Sequence, residues 1–271
     1  MEDDVGQGDA DMAEQGTTVP HVKSAVRTVE LLDFFAQYPG LHSLSDLQGK
    51  LGYPKSSLHA LLRTLVGLGW IETDVTGTLY RIGMRALLVG ATYIDGDPVV
   101  QIARDALDWL AETTGETVHL ARLDHFDVVY LATRASRHYL RPFTRVGRRL
   151  PASTTSLGKA ILATRDDAEV SRMLPSELPR LTKNTIVDQG QLMADLRRVR
   201  KRGYAVDREE NTEGLRCFGA ALDIAYPPRD ALSVSVPVPR LTAGRDKEIA
   251  ACLIEARDRI EVAARGVRRT Y

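Results

Sequence analysis

Cysteine is scarce and poorly placed for cross-linking: Cys217 and Cys252 are the two in 271 residues, and no Cys-x-x-Cys occurs. A disulfide framework and a zinc ribbon are thereby excluded, and a reducing cytoplasm is the expected setting. His21, His42 and His138 show no metal-ligand spacing, so no metal and no cofactor is expected. Long apolar runs are missing, as is a signal-peptide pattern, which leaves a soluble intracellular protein with no membrane partner. Charge of one sign is not in excess either, since 36 Lys plus Arg face 36 Asp plus Glu. No global basic field then draws polyanions, and any nucleic-acid contact has to come from a local patch. No internal repeat is present. Residues 1–20 lack Lys and Arg altogether but carry Glu2, Asp3, Asp4, Asp9, Asp11 and Glu14 among several glycines. With so little apolar content to offset ordering entropy, a disordered acidic arm is expected there, either a solvated tail or a cover for a basic DNA-binding surface.

What is there is 44% apolar, enough for real cores, on a length that suits about two domains. Residues 43–69, SLSDLQGKLGYPKSSLHALLRTLVGLG, read as two short helices joined by a tight turn. Ser43 with Asp46 three residues on is a capping-box pattern, and Leu44, Leu47 and Leu51 give the first helix one apolar face. Gly52 suits the left-handed position that ends this helix, and Pro54 suits the first turn of the next. In the second helix Leu58, Leu61, Leu62, Leu65 and Leu68 form one buried stripe at helical period. That stripe leaves Lys55, Ser56, His59, Ala60 and Arg63 outward, a polar and basic set of the kind that reaches base edges and phosphates in a major groove. Taken alone, the pattern also fits an ordinary helical hairpin with a solvated face. Short strands predicted at 71–73 and 79–82, around a turn containing Thr76-Gly77, make it a winged helix-turn-helix. The DNA-contact candidates are Lys55, Ser56, Ser57, His59, Arg63 and Arg81.

A helix from Ser24 precedes this unit, with Ala25, Val26, Val29, Leu32 and Ala36 on one face and Leu31, Phe34 and Phe35 on another. One side can cover the helix-turn-helix, and the surplus suggests a partner subunit. Over residues 21–85 seven basic side chains face five acidic ones, so placement rather than net charge has to carry DNA binding. Residues 84–94 form a strongly apolar helical segment, broken by Asp95-Gly96-Asp97-Pro98 before a second helix with Val99, Ala103, Ala106, Leu107 and Leu110 inward. From Glu116 the texture changes to strands around 117–123, 128–132 and 139–144, read as an antiparallel meander. Helices are predicted near 157–163, 166–174 and 189–202, strands at 204–208, 217–222 and 231–236, and a closing helix over 246–264. Runs of strands and runs of helices imply an α+β sensor-like domain. Ser153, Thr154, Thr155 and Ser156 set hydroxyls beside the N–H groups of a helix start, which fits a carboxylate cradle or a plain N-cap. Cys217 in a strand reads as a small buried hydrophobe, and nothing in the sequence pairs His119 or His125 with it as a base. Phe126, Tyr130, Tyr139 and Phe143 fit either strand core or stacking on an aromatic ligand.

Several short motifs in fixed order complete the picture: Ser24-Ala-Val-Arg-Thr-Val-Glu-Leu-Leu, Gly52-Tyr-Pro-Lys-Ser-Ser-Leu-His, Thr114-Gly-Glu-Thr-Val-His-Leu, Gly147-Arg-Arg-Leu-Pro, Leu157-Gly-Lys-Ala, Arg202-Gly-Tyr-Ala and Asp207-Arg-Glu-Glu. By them the chain resembles the IclR family of bacterial transcriptional regulators over essentially everything after residue 20. The resemblance implies a winged helix-turn-helix joined to a GAF-like ligand-binding domain, subunits that form dimers or tetramers, and DNA affinity set by a small metabolite. Carried over position by position, it implies an effector site at Ser156, Leu157, Asp207, Cys217, Ser233 and Ser235. Two departures touch that site: Ser153 stands where the family commonly has His, and Ala221 where it has Pro.

The expected architecture is therefore α+β, with an N-terminal winged helix-turn-helix domain over 21–83, a helical linker over 84–114 and a GAF-like regulatory domain over 115–271 whose antiparallel sheet is flanked by helices. The expected function is sequence-specific repression at double-stranded operator DNA, controlled by a small organic acid and exerted by a homodimer or tetramer. Two other readings remain open in the sequence: an enzyme acting on a small acid through the C-terminal domain, and a constitutive DNA-binding protein whose second domain only oligomerises.

Overall fold

The computed structural model describes residues 21–268, and the acidic arm expected over 1–20 lies outside them. The chain forms two compact units that divide between Thr92 and Tyr93. In the first, α1 (Lys23–Gln37) buries Leu31, Phe34 and Phe35. The face marked by Val26 and Val29 stays open, at 36% and 56% exposure. After β1 (His42–Ser43), α2 (Leu44–Leu51) opens on the expected capping box: Ser43 Oγ accepts the Asp46 N–H at 3.2 Å, and the Asp46 carboxylate takes the Ser43 N–H at 2.9 Å. Gly52 ends that helix with φ 68°, a left-handed value that costs glycine nothing. In α3 (Lys55–Gly67), Leu58, Leu62 and Leu65 are buried, Leu61 is half-buried, and Leu68, one residue beyond the helix, is 53% exposed. The buried stripe is thus three leucines, because at about 100° per residue Leu61 and Leu68 fall to one edge of the face that Leu58, Leu62 and Leu65 share. The wing strands β2 (Ile71–Thr73) and β3 (Leu79–Ile82) occupy the predicted residues, and β1 adds to the other edge of β3.

α4 (Met84–Asp95) buries no residue at all. Asp97 then caps α5 (Pro98–Thr114), its carboxylate accepting the N–H groups of Val99 and Val100 at 2.9 and 3.2 Å. α5 buries Ala103, Ala106, Leu107 and Leu110, so the second half of the expected linker belongs to the core of the second unit. That core surrounds a six-stranded antiparallel sheet of β4 (Thr117–Asp124), β5 (Asp127–Arg134), β6 (Arg149–Pro151), β7 (Ala205–Arg208), β8 (Leu215–Leu222) and β9 (Asp230–Pro237), in the order β6-β5-β4-β9-β8-β7. α5 and α9 (Arg245–Arg268) pack on the face carrying Val118, Leu120, Phe218, Leu232, Val234 and Val236. α6 (Ser156–Leu162), α7 (Asp167–Met173) and α8 (Gln189–Arg202) pack on the other, giving the α+β layering expected. The strand predicted at 139–144 does not form. Tyr139 and Phe143 are 105% and 84% exposed, with no core to alternate against, and Pro142 has no N–H for a ladder. The short β6 takes the third place in the meander. Among the described residues no helix is long and apolar enough to cross a membrane.

Candidate nucleic-acid face and ligand pocket

The packing of Leu58, Leu62 and Leu65 decides what α3 shows to the outside: Lys55, Ser56, His59, Ala60 and Arg63 are all exposed. Among the described residues no hydrogen bond or ion pair engages the side chains of Lys55, His59 or Arg63. Neither α1 nor α3 carries an acidic residue in its first turn, so nothing local neutralises these cations or the positive helix starts. Ser57 differs from its neighbours. It is half-buried against α1, where its hydroxyl accepts from Arg27 Nη1 at 2.9 Å. Arg81 lies on the wing with its Nε and Nη2 on Glu72 Oε2 at 3.2 and 2.9 Å, a surface ion pair. Of the six predicted contacts, four stand free on one helix face and two already hold an internal partner.

The second site depends on two glycines. A Cβ on Gly219 would lie 2.5 Å from the Ser156 carbonyl oxygen, and one on Gly158 would lie 2.2 Å from that of Ala152. Their absence lets the start of α6 press onto β8 and onto the turn before it. Beneath that start the register lines up Asp207, Cys217, Ser235 and Thr117 across β7, β8, β9 and β4, with Gly219, Ser233 and His119 in the next row. All six predicted effector residues, Ser156, Leu157, Asp207, Cys217, Ser233 and Ser235, line one cavity here, with a free volume of about 40 Å³. Thr144, Arg148, Asn211 and the stacked pair His119 and Tyr130, whose ring centroids are 4.8 Å apart, also line it. Of the aromatic residues offered as stacking candidates Tyr130 and Phe143 reach the cavity, whereas sequence reasoning did not assign Thr144, Arg148, Asn211 or His119 to the site. The signal for His119 was the alternation of β4, since Val118 and Leu120 face the helical core and His119 must face away. Arg148 had no such signal, because residues 139–148 form no strand whose alternation could place it.

The hydroxyl run before α6 acts mainly as a cap and brace. Thr155 Oγ1 accepts the Gly158 N–H at 3.0 Å, Thr154 Oγ1 donates to Pro151 O at 3.0 Å, and Ser153 is buried outside the cavity lining. The expected row of free N–H groups is therefore partly taken, leaving side chains as the main ligand groups.

Charge in the pocket is set by burial. The Asp207 carboxyl is pushed up to about 7 by burial and by the neighbouring Glu210 carboxylate. Its Oδ1 accepts the Glu210 and Asn211 N–H groups at 2.7 and 3.4 Å, which hold the loop beneath it. That loop is fixed by the fully buried Lys159, whose ammonium donates to both Glu210 oxygens at 2.6 and 2.8 Å, to Asp195 at 3.0 Å and to Val206 O at 2.7 Å. Burial, with Arg148 nearby, lowers His119 to about 3, so its imidazole is neutral. Burial and the Asp207 charge keep the Cys217 thiol well above its ordinary value. The result is a neutral thiol, a neutral imidazole, a carboxyl raised into the neutral range and several hydroxyls beside the Arg148 guanidinium, a set of groups suited to recognition. Among the described residues no cluster of His, Cys, Asp and Glu is arranged to hold a metal ion.

Comparison with known proteins bears on each of the two units as a domain. Residues 24–75 match the IclR helix-turn-helix domain, and residues 91–262 match the bacterial transcriptional regulator IclR C-terminal domain. The chain is 33% identical over 251 residues to the transcriptional repressor IclR of Escherichia coli (strain K12), a match covering 91% of this chain and 92% of that one. It is 32% identical over 237 residues to the HTH-type transcriptional regulator BhcR of Paracoccus denitrificans (strain Pd 1222), covering 87% and 85%. The crystal structure of the Thermotoga maritima IclR superposes with a TM-score of 0.69 at 29% identity, over 90% of this chain and 99% of that one. With a winged helix-turn-helix in its first unit, a pocket between α6 and an antiparallel sheet in its second, and these matches over most of its length, the chain belongs to the IclR family of DNA-binding transcriptional regulators.

Proposed function

We propose that the protein is a cytoplasmic repressor in which a homodimer reads an inverted repeat through α3 and responds to a small organic acid bound in the second unit. The observation that carries this reading is the α3 face, where Lys55, His59 and Arg63 stand exposed and unpartnered beside Ser56 on a helix whose opposite side is locked into the core. Such a face meets base edges directly, while Arg81 serves the phosphates once a backbone oxyanion displaces Glu72. In the pocket, Arg148 with the hydroxyls of Ser156, Ser233 and Ser235 suits a carboxylate, and Asp207 suits a ligand hydroxyl. The small free volume favours a compact acid. The rival enzymatic reading has less support, because the Cys217 thiol, which hydrogen-bonds Asp207 and Ser235, is held well above its ordinary value by burial and by the Asp207 charge, away from a reactive thiolate.

Assembly follows from α4, where Met84, Leu87, Leu88 and Val89 are each more than half exposed on a helix that buries nothing. A second copy covering that face and the open side of α1 removes it from water. The test is footprinting on the DNA flanking the protein's own gene, with and without a panel of compact organic acids. Protection of an inverted repeat that one acid relieves is the expected result, and protection indifferent to every acid removes the effector half of the reading. Calorimetry on Ser156→Val and Ser235→Val with that acid then checks the pocket, since wild-type affinity in both variants places the ligand elsewhere.

A further inference from the structure

We propose that residues 1–20 dock by charge on the α3 face and compete there with DNA phosphates, holding down sequence-independent binding. This rests on the assignment of α3 as the DNA-reading helix and concerns how that face is regulated within the chain. Four observations converge on it. Arg27, one turn into α1, donates to Ser57 at the start of α3 at 2.9 Å, and its guanidinium lies 5.0 Å over the Tyr53 ring. The chain therefore enters the first unit beside the start of α3. Next, most cations of that unit are already engaged: Arg27 with Ser57, Lys50 over the Tyr38 ring, Arg81 with Glu72, and Arg85 on Leu68 O. Lys23, Lys55 and Arg63 remain exposed without a partner among the described residues. Thirdly, residues 1–20 hold Glu2, Asp3, Asp4, Asp9, Asp11 and Glu14 and no Lys or Arg. Finally, residues 21–85 carry seven cations and five anions, so counting residues 1–20 turns a positive DNA-binding unit into a negative one.

Twenty residues span at most about 70 Å, several times what is needed to reach Arg63 from the start of α1. Tethering there gives the carboxylates an effective concentration on the order of millimolar at the unpaired cations. They displace contacts that a phosphate makes through charge alone, but cannot reproduce contacts to base edges. Binding to non-operator DNA is therefore suppressed more than binding to the operator.

The test is anisotropy titration of a random-sequence duplex of about 30 bp at about 50 mM salt, where phosphate contacts dominate. Three proteins are compared: the full chain, the chain lacking residues 1–20, and the full chain with E2Q, D3N, D4N, D9N, D11N and E14Q. The truncated and neutralised proteins should both bind about tenfold more tightly than the full chain, and the gap should close at about 300 mM salt as charges are screened. Adding K55A and R63A to the truncated protein should abolish the gain. Equal affinities within twofold overturn the proposal, as does a gain on truncation that neutralisation fails to reproduce. If the gain persists with K55A and R63A, the acidic segment docks elsewhere and the proposed site is wrong. If none of the proteins binds duplex, the assignment of α3 falls first and carries this one with it.

Discussion

Asp207 is a carboxyl whose fold holds a proton that the unfolded chain would release. Its folded value near 7 lies above the ordinary 3.8, so the native state binds more protons between those limits. The contribution is full below about pH 4 and is lost as pH rises through about 7. His119 runs the other way: held near 3 against an ordinary 6.5, it supports the fold above about 6.5 and withdraws that support as pH falls toward 3. In urea unfolding from pH 5 to 9, Asp207→Asn should remove the decline between pH 5 and about 7 and gain on the order of 2–4 kcal/mol relative to wild type at pH 8. At the other site, Arg63→Ala should cost roughly 1–3 kcal/mol at the operator and relax specificity at one base position, read by titration against a set of single-base variants. Lys55→Ala, if Lys55 meets a phosphate, should weaken all sequences alike and lower the salt dependence by about one charge.

Elements differ in how much space they leave. α6 lies so close to β8 that Gly219→Ala sets a methyl against the Ser156 and Leu157 backbone, which cannot rotate away. A loss of about 1–3 kcal/mol or more is expected, with ligand affinity falling as the helix start lifts from the pocket. Gly49 in α2 has open space around its Cβ position and helical geometry, so Gly49→Ala should instead stabilise by about 0.5–1 kcal/mol. Thermal unfolding of the two variants side by side should show opposite signs. The α2 capping box and the wing strands were legible in sequence because they are local: Ser43 finds Asp46 three residues away, and β2 meets β3 across one turn. The segment 139–144 was misread because Tyr139, Leu140 and Phe143 have strand-forming side chains, while the deciding fact, that no core lies beneath them, is tertiary.

For the whole molecule, the two sites lie in separate compact units, so ligand control of DNA binding requires two arrangements of the assembly that the ligand distinguishes. A coupling of about 1–3 kcal/mol, equivalent to roughly 5- to 150-fold in operator affinity, is the expected size. Reciprocity is a strict consequence: saturating operator DNA should shift the ligand dissociation constant by the same factor. Calorimetry with and without operator checks this, and a ligand constant unmoved by DNA would sever the pocket from repression. The open apolar side of α4 belongs to this scale, since a free subunit leaves it in water and the proposed homodimer would cover it.

The sequence by itself determined the periodic and local features. The leucine spacing fixed which side of α3 is free, the turn residues fixed where helices stop, and the equal charges excluded a general polyanion binder. From resemblance came the six residues around the pocket, and in the structure strand register, with α6 packed against Gly219, brings them to one cavity. Only the tertiary structure decided that Ser57 turns to α1, that Arg81 is held by Glu72, that Arg148, His119 and Asn211 join the pocket, and that Asp207 keeps its proton near neutrality. The physical reason is that helical and strand periods are written in neighbouring residues. Burial, and the proton and partner each polar group keeps under it, depends on chain segments tens of residues apart: Lys159, in α6, holds Glu210, just past β7, while Asp207 shares its row with Cys217 and Ser235.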